Sequence, residues 1–228
     1  MGIPSIVMMS ISSVMNFGLN QILIAFSTTA TAVFGVYFKL QSFIFMPVFG
    51  LNNGVVPIVA YNYGAQNRLR MVETIKRSTI YASCIMVLGV IIFWAIPGPL
   101  LKIFDATDTM LQVGVPALRI ISLSFCMAGA CIALGSSFQA LGKAVYSMTT
   151  SIIRQLVFLV PIAYVLARYG HSIGNDDLVW WSYPLAEIAS LLVTLVFFRR
   201  LYRTLIAPLP ASGGAPVHDD SDDDPIGE

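Results

Sequence analysis

The sequence predicts an all-α polytopic membrane protein, and its composition and charge distribution support that fold class. The chain has 228 residues, of which 57% are hydrophobic and only 11% are charged, and its mean hydropathy is +0.78. Soluble domains carry about a quarter charged residues. Between Met1 and Asn67 the only charged side chain is that of Lys39. The apolar runs are continuous rather than alternating, which favours membrane helices over the strands of a barrel.

Six apolar runs have a length that suits a membrane crossing, which takes about 20 residues. They cover approximately residues 3–26, 32–61, 79–96, 110–138, 145–167 and 178–198. Pro4 stands in the first turn of the first run, where proline is tolerated. We therefore expect a six-helix transmembrane unit over residues 1–205, forming a helix bundle.

Residues 206–228 have a different composition. The stretch "HDDSDDDPIGE" at the end of the chain holds six of the 12 acidic residues. Segments with low hydrophobicity and high charge do not bury enough apolar surface to fold. We therefore predict a disordered, acidic cytoplasmic tail.

Basic residues concentrate in the loops that the six runs would place on one side of the membrane. Eight lie on that side: Arg68, Arg70, Lys76, Arg77, Lys143, Arg199, Arg200 and Arg203. The opposite loops carry only Lys102 and Arg168. An excess of Lys and Arg marks the cytoplasmic side. The sequence thus predicts a multi-pass protein of the cell (plasma) membrane with both termini of the unit in the cytoplasm.

The second run is rich in residues that bend helices or allow close packing. Four of them are Pro47, Gly50, Gly54 and Pro57. A kinked helix that a neighbour approaches closely at the two glycines is one interpretation. A bending element beside a polar cavity is the other. Asn52 and Asn53 lie between the prolines and can bond the carbonyls that the prolines leave free.

Further polar residues lie inside the predicted spans. Asn16 and Asn20 are four residues apart, on one face of the first helix, and Gln41 lies in the second. Both cavity lining and interhelical hydrogen bonding account for such residues. Tyr183, near the outer end of the sixth run, is predicted to be an interfacial aromatic.

Arg154 and Glu187 are predicted to form an ion pair. Each lies about ten residues into its span from opposite sides, so at 1.5 Å per residue both lie about 15 Å deep. Their helices are consecutive and antiparallel, so the side chains can meet. Charges inside a membrane are paired or functional. The pair is either structural, or Glu187 takes up a proton and releases Arg154 during a transport cycle.

Enzyme and nucleic-acid functions find no support in the sequence. His171 and His218 fall in a loop and in the tail, and there is no HExxH motif and no Gly-rich phosphate loop. No intramembrane histidine is available to activate a serine. Basic patches with interleaved aromatics are also missing. We assign no catalytic, cofactor or metal residue and expect no enzymatic activity.

Three segments resemble the multidrug and toxic compound extrusion (MATE) transporters. "FKLQSFIFMPVFGLNNGVVPIVAYNYGAQN" resembles the second helix of a lobe, through Pro47, Gly50, Pro57 to Val59 and Asn62 to Ala65. "FQALGKAVYSMTTSIIRQLVFLVPIAYVLARYG" resembles the fifth helix of the second lobe, with its Gly, Arg-Gln and Pro, and "YPLAEIASLL" resembles the start of the sixth. That family has twelve helices in two lobes around a central cavity. The chain resembles the C-terminal lobe alone, up to Leu205.

The resemblance implies secondary active efflux of organic cations or amphipathic drugs in exchange for H⁺ or Na⁺. The implied partners are the lipid bilayer and a missing N-terminal lobe or a second copy. One branch of the family binds its coupling cation through acids on the first and fourth helices of this lobe. The present chain has none there, which leaves Glu187 or the other lobe. A homodimeric half-transporter and an oligomeric six-helix channel are the alternatives; a channel would show unitary conductance and need no counter-ion.

Overall fold

The computed structural model describes residues 2–211 and is helical throughout its regular parts. The helices in chain order are α1 (Gly2–Phe26), α2 (Thr28–Gly64), α3 (Arg68–Ala95), α4 (Pro97–Lys102), α5 (Asp108–Ser122), α6 (Phe125–Ala140), α7 (Ala144–Ile152), α8 (Val160–Ile173) and α9 (Ser182–Leu201). Wider π-helical turns occupy Ile153–Leu159 and Tyr202–Ile206, and a 3₁₀ turn occupies Asp176–Trp181. The predicted all-α class is confirmed for this part of the chain.

Four continuous stretches are long and apolar enough to cross a membrane: Thr28–Gly64, Arg68–Ala95, Ala144–Ile173 and Asp176–Ile206. A fifth candidate consists of α5 and α6, which meet at an angle of 45°. These five regions and the 25-residue α1 follow the order of the predicted spans. That all six cross the bilayer stays a prediction.

Short polar side chains fix where several helices begin. Ser27 Oγ accepts the backbone N–H of Ala30 at 3.2 Å at the start of α2. Asn67 Oδ1 accepts the N–H of Arg70 at 3.1 Å at the start of α3. Such caps satisfy N–H groups that have no partner inside the helix. Gly174, at φ +71°, ends α8 in the left-handed conformation that glycine adopts most easily.

The helices pack most closely where α6 crosses α3. A Cβ at Gly129 would lie 2.8 Å from Met86 Cγ and 3.1 Å from the carbonyl oxygen of Ala82, so a larger residue there would force these neighbours to shift. The Phe125 ring is next to this crossing, and its centroid lies 5.3 Å from those of Phe45 and Phe93. This aromatic cluster joins α2, α3 and α6 and forms the middle of the core.

Helix α2 differs from what its sequence suggested. It is an unbroken helix of 37 residues that runs through Pro47 and Pro57. In the part of the chain that the structure describes, no neighbouring heavy atom lies within 4 Å of a Cβ built at Gly50 or Gly54. Within residues 2–211, therefore, no neighbouring helix packs against these glycines, and close packing there stays a prediction about a partner outside this part of the chain. This face of α2 is open, and the breaks fall elsewhere, at the α5–α6 junction and in the π-helical turn after α7.

The chain stays in contact with the bundle up to Ala211. The backbone N–H groups of Arg68 and Leu69 donate to the carbonyl oxygens of Pro210 and Ala211, both at 3.2 Å. Arg68 Nη1 donates to the carbonyl oxygen of Ala207 at 3.0 Å. The contacts thus extend beyond residue 205, where we placed the end of the transmembrane unit. The rest of the predicted acidic tail, residues 212–228, lies outside the described residues.

Candidate functional site

A π-helical turn shapes the centre of the site. The backbone N–H of Val160 donates to the carbonyl oxygen of Gln155, five residues back instead of four. Pro161 follows directly, and a proline has no N–H and crowds the preceding turn. A widened turn accommodates such a residue, and turns of this kind recur at functional sites. Arg154 and Gln155 both lie in it.

The ion pair between Arg154 and Glu187 is confirmed. Arg154 Nη1 lies 3.2 Å from Glu187 Oε1. The Glu187 side chain is 8% exposed and that of Arg154 is 28% exposed. The pair connects the π-helical turn to α9 and leaves most of the guanidinium's other donors free for further partners.

Aromatic rings lie beside this pair on α2 and α9. The centroids of Tyr37 and Tyr183 are 5.6 Å apart, in an edge-to-face arrangement. Tyr37 is 1% exposed. Tyr183, predicted to be interfacial, lies one turn before Glu187 and lines a cavity. Its ring therefore contributes to the wall of the site, while its interfacial position stays a prediction.

The first of two adjoining cavities, here called the aromatic chamber, has a volume of about 330 Å³. Its wall is built mainly from aromatic and Met side chains together with the ion pair. The residues that give it this character are Met15, Tyr37, Phe38, Phe45, Met46, Phe49, Tyr183, Arg154 and Glu187. Gln41, Ser42, Ser12 and Gln155 add polar atoms.

The second cavity, here called the polar chamber, has a volume of about 460 Å³. Most of the residues that line it carry an amide or a hydroxyl group. They belong to Ser12, Asn52, Asn53, Ser136, Gln139, Ser147, Thr150, Ser151, Gln155, Ser190 and Thr194. Arg154, Phe49 and Ile132 line both chambers, as do Ser12 and Gln155. The two cavities therefore meet at the π-helical turn.

Most of the predicted site residues meet at these chambers. Gln41 and Glu187 line the aromatic chamber, Asn52 and Asn53 the polar one, and Arg154 both. Neither lining includes Asn16 or Asn20 on α1. The residues predicted to bend α2 lie outside both linings and are exposed; they are Pro47, Gly50, Gly54 and Pro57.

Gln155 is the residue that sequence reasoning missed. It is 5% exposed, lines both chambers, and its Oε1 has no hydrogen-bond partner. The available signal was a second polar residue directly after Arg154 and six before Pro161, in the middle of an apolar run. Within residues 2–211 no group of three His, Cys, Asp or Glu side chains is placed to hold a metal ion.

Known proteins are similar to this chain in sequence and in fold. The MatE family model matches residues 4–165. The multidrug export protein MepA of Staphylococcus haemolyticus is 26% identical over 186 residues, which is 82% of this chain and 40% of that protein. MepA of Staphylococcus aureus is 26% identical over 204 residues, covering 88% of this chain and 44% of its own length. The chain thus spans less than half the length of the curated relatives it matches.

Two solved structures illustrate the shared fold. One is the inward-facing conformation of a multidrug resistance MATE family transporter of the MOP superfamily, with a TM-score of 0.84 at 19% identity, covering 91% of this chain and 48% of the other. The other is the Vibrio cholerae MATE transporter VcmN in its bent form, with a TM-score of 0.83 at 16% identity, covering 91% and 46%. Because the family model matches most of the chain and the fold agrees, the chain belongs to the MatE family.

Proposed function

We propose that the chain forms one wall of a secondary active multidrug efflux transporter that exchanges drug for H⁺ or Na⁺. One observation carries this proposal: an aromatic chamber of about 330 Å³ with a buried ion pair in its wall. Cavities of that size, mostly apolar with a few placed polar groups, suit small molecules. The relatives described as multidrug export proteins support the same function.

Aromatic and Met side chains suit substrates of varied shape. Ring faces attract organic cations, and aromatic surface binds flat apolar molecules. The unbranched side chains of Met15 and Met46 adapt to different outlines, as methionines do at other promiscuous surfaces. Organic cations and other amphipathic drugs are therefore the proposed substrates.

The ion pair supplies the proposed coupling step. Glu187 is nearly buried, so its charge is costly whenever Arg154 moves away. Binding of H⁺ or Na⁺ to the carboxylate would replace the guanidinium and remove that cost. Arg154 would then be free to move within the wall that both chambers share. Coupling would thus operate through competition between the ion and Arg154 for Glu187.

A second six-helix unit, either an N-terminal lobe or another copy of this chain, is the proposed opposing wall. The open face of α2 at Gly50 and Gly54 offers it a place to pack, since small residues let helices approach closely. Substrate sites in such transporters lie between two repeats. Movement of one unit against the other would expose the chambers to each side in turn.

Efflux of ethidium from an efflux-deficient bacterial host tests this function. We expect no efflux from the chain expressed alone and ion-dependent efflux when a matching six-helix unit is co-expressed. Glu187→Gln should abolish the ion dependence. Glu73→Gln, the same change in an exposed pair with Arg77, is the matched control and should leave efflux intact. Efflux from the chain alone would favour a homodimer, and currents without a counter-ion would favour a channel.

The proposed orientation places the start of α3 in the cytoplasm of a cell-membrane protein. In a background without Cys84, Cys126 and Cys131, we expect an impermeant thiol reagent added to intact cells to label Ser172→Cys but not Arg77→Cys. The excess of basic residues on the side of Arg77 is the reason. Labelling of Arg77→Cys from outside would reverse the orientation.

A further inference from the structure

The polar chamber differs from the aromatic chamber in ways that indicate what it binds. We propose that it holds the neutral, hydroxyl-rich head group of an amphipathic substrate, of which a sugar is the simplest example, while the apolar part of that substrate occupies the aromatic chamber. This inference rests on the proposed transport function and narrows its substrate class. Three features of the wall carry it.

Three hydroxyl groups in the polar chamber, those of Ser136, Ser147 and Thr150, donate their hydrogens to backbone carbonyls. Ser136 donates to the carbonyl oxygen of Ala133 at 2.7 Å, and Ser147 donates to that of Gly135 at 2.7 Å. Thr150 donates to the carbonyl oxygens of its own helix. A hydroxyl that donates to the backbone can offer only its lone pairs to a ligand. This part of the wall is therefore an acceptor surface.

Two amide oxygens in the same wall have no partner at all. They are Asn52 Oδ1 and Gln155 Oε1, on residues that are 9% and 5% exposed. Buried polar atoms without a partner are rare in proteins, and each calls for an explanation such as a bound water, ion or ligand. Carbonyl oxygens accept hydrogen bonds and cannot donate them. A ligand that satisfies both must bring donors.

The charge of the wall selects among donor-rich ligands. Arg154 lines the polar chamber, and none of its lining residues is acidic. The Arg154 guanidinium is already paired with Glu187 at 3.2 Å, so a charged head group would find no unpaired counter-charge in this chamber. A hydroxyl group donates to an amide oxygen and accepts from a guanidinium N–H. Neutral hydroxyls are therefore the class that meets both demands at once.

The position of the polar chamber fits an amphipathic molecule. Phe49, Ile132 and Gln155 line both chambers, so the two cavities lie side by side and an elongated ligand can contact both. The volume of about 460 Å³ falls in the range of small-molecule sites. A head group there would sit beside Arg154 and Gln155, with its apolar part among the rings.

Binding of two matched coumarins to the purified chain in lipid nanodiscs tests the inference. One probe is 4-methylumbelliferyl β-glucoside, and the other is 7-methoxy-4-methylcoumarin, which lacks the sugar. Two added hydrogen bonds should make the glucoside bind about tenfold more tightly. Equilibrium dialysis with fluorescence detection gives both dissociation constants. A coumarin with a trimethylammonium group in place of the sugar should bind less tightly than the glucoside.

Two variants test whether Asn52 and Gln155 cause the preference for the glucoside over methoxycoumarin. Asn52→Leu and Gln155→Leu remove one unpaired oxygen each at similar volume, which folded proteins tolerate. Each should lower the ratio of the two dissociation constants by about threefold. Asn16→Leu is the control, because Asn16 Oδ1 is also buried and unpaired but belongs to neither chamber. It should leave the ratio unchanged.

The outcomes distinguish failure of the proposed sugar site from failure of the proposed drug site. A ratio near one in the unmodified chain, with methoxycoumarin still bound, overturns the sugar site and leaves the proposed drug site standing. A lower dissociation constant for the ammonium probe than for the glucoside also overturns the sugar site. So does an unchanged ratio of the glucoside and methoxycoumarin dissociation constants in both leucine variants. Failure of all three probes to bind, both to the chain alone and to the chain purified together with a matching six-helix unit, overturns the drug site as well.

Discussion

Residues 2–211 contain two Arg–Glu pairs whose surroundings differ. Arg77 and Glu73 lie one turn apart on α3, with 2.6 Å between Nη2 and Oε1, and their side chains are 65% and 57% exposed. Arg154 and Glu187 come from separate elements, lie 3.2 Å apart, and are 28% and 8% exposed. The shorter contact is the less consequential one, because water screens an exposed pair and a buried charge has no substitute partner. Burial, rather than the distance between the charged atoms, therefore decides how strongly the loss of each pair affects the protein.

Removal of the carboxylate from the buried pair should have the largest effect. Glu187→Gln leaves the Arg154 guanidinium partly buried without a counter-charge, and breaking a buried pair costs about 3 kcal/mol. We expect a lower thermal unfolding midpoint for the purified chain. Arg154→Gln added to Glu187→Gln should recover part of the loss. An unchanged midpoint would mean that the pair is solvated after all.

Exchange of the guanidinium for an ammonium should have an intermediate effect. Arg154→Lys keeps the charge but loses the planar fork, so it retains one contact with Glu187 and fewer with the polar chamber. We expect a loss of about 1 kcal/mol in the free energy of unfolding. Chemical unfolding in mixed micelles measures it. A loss as large as that of Glu187→Gln would show that shape, and not charge, governs the site.

The exposed pair should give the smallest effect. Glu73→Gln is expected to change the free energy of unfolding by about 0.5 kcal/mol or less, because helix pairs of this spacing contribute little. That small difference should disappear at 1 M salt, where the screening length is about 3 Å. The same unfolding experiment at two salt concentrations checks both statements. A loss comparable to that of the buried pair would contradict the comparison.

The features that sequence reasoning predicted depend on regular helix geometry. A constant rise per residue placed Arg154 and Glu187 at one depth, and the structure joins them at 3.2 Å. The helical class followed from the long apolar runs for the same reason. Both arguments use only the geometry of a regular helix and do not depend on which helices pack against it.

The features that it missed depend on local departures and on neighbours. A π-helical turn changes the register by one residue, so the inward position of Gln155 could not be read from a period of 3.6. The small-residue spacing at Gly50 and Gly54 indicates close packing but does not say whether the neighbour belongs to the same chain. The break between α5 and α6 has no proline or glycine; there, Ser122 and Ser124 donate to backbone carbonyls of Arg119 and Ile121.

The attachment of Pro210 and Ala211 to the start of α3 has a mechanical consequence. Together with the bond from Arg68 to Ala207, it closes residues 68–211 into a ring without any covalent cross-link. A tension applied to the chain beyond Ala211 would therefore load the first turn of α3 before it reached α9. A force on residues that follow Ala211 would therefore act on the first turn of α3, which lies far from them in the sequence.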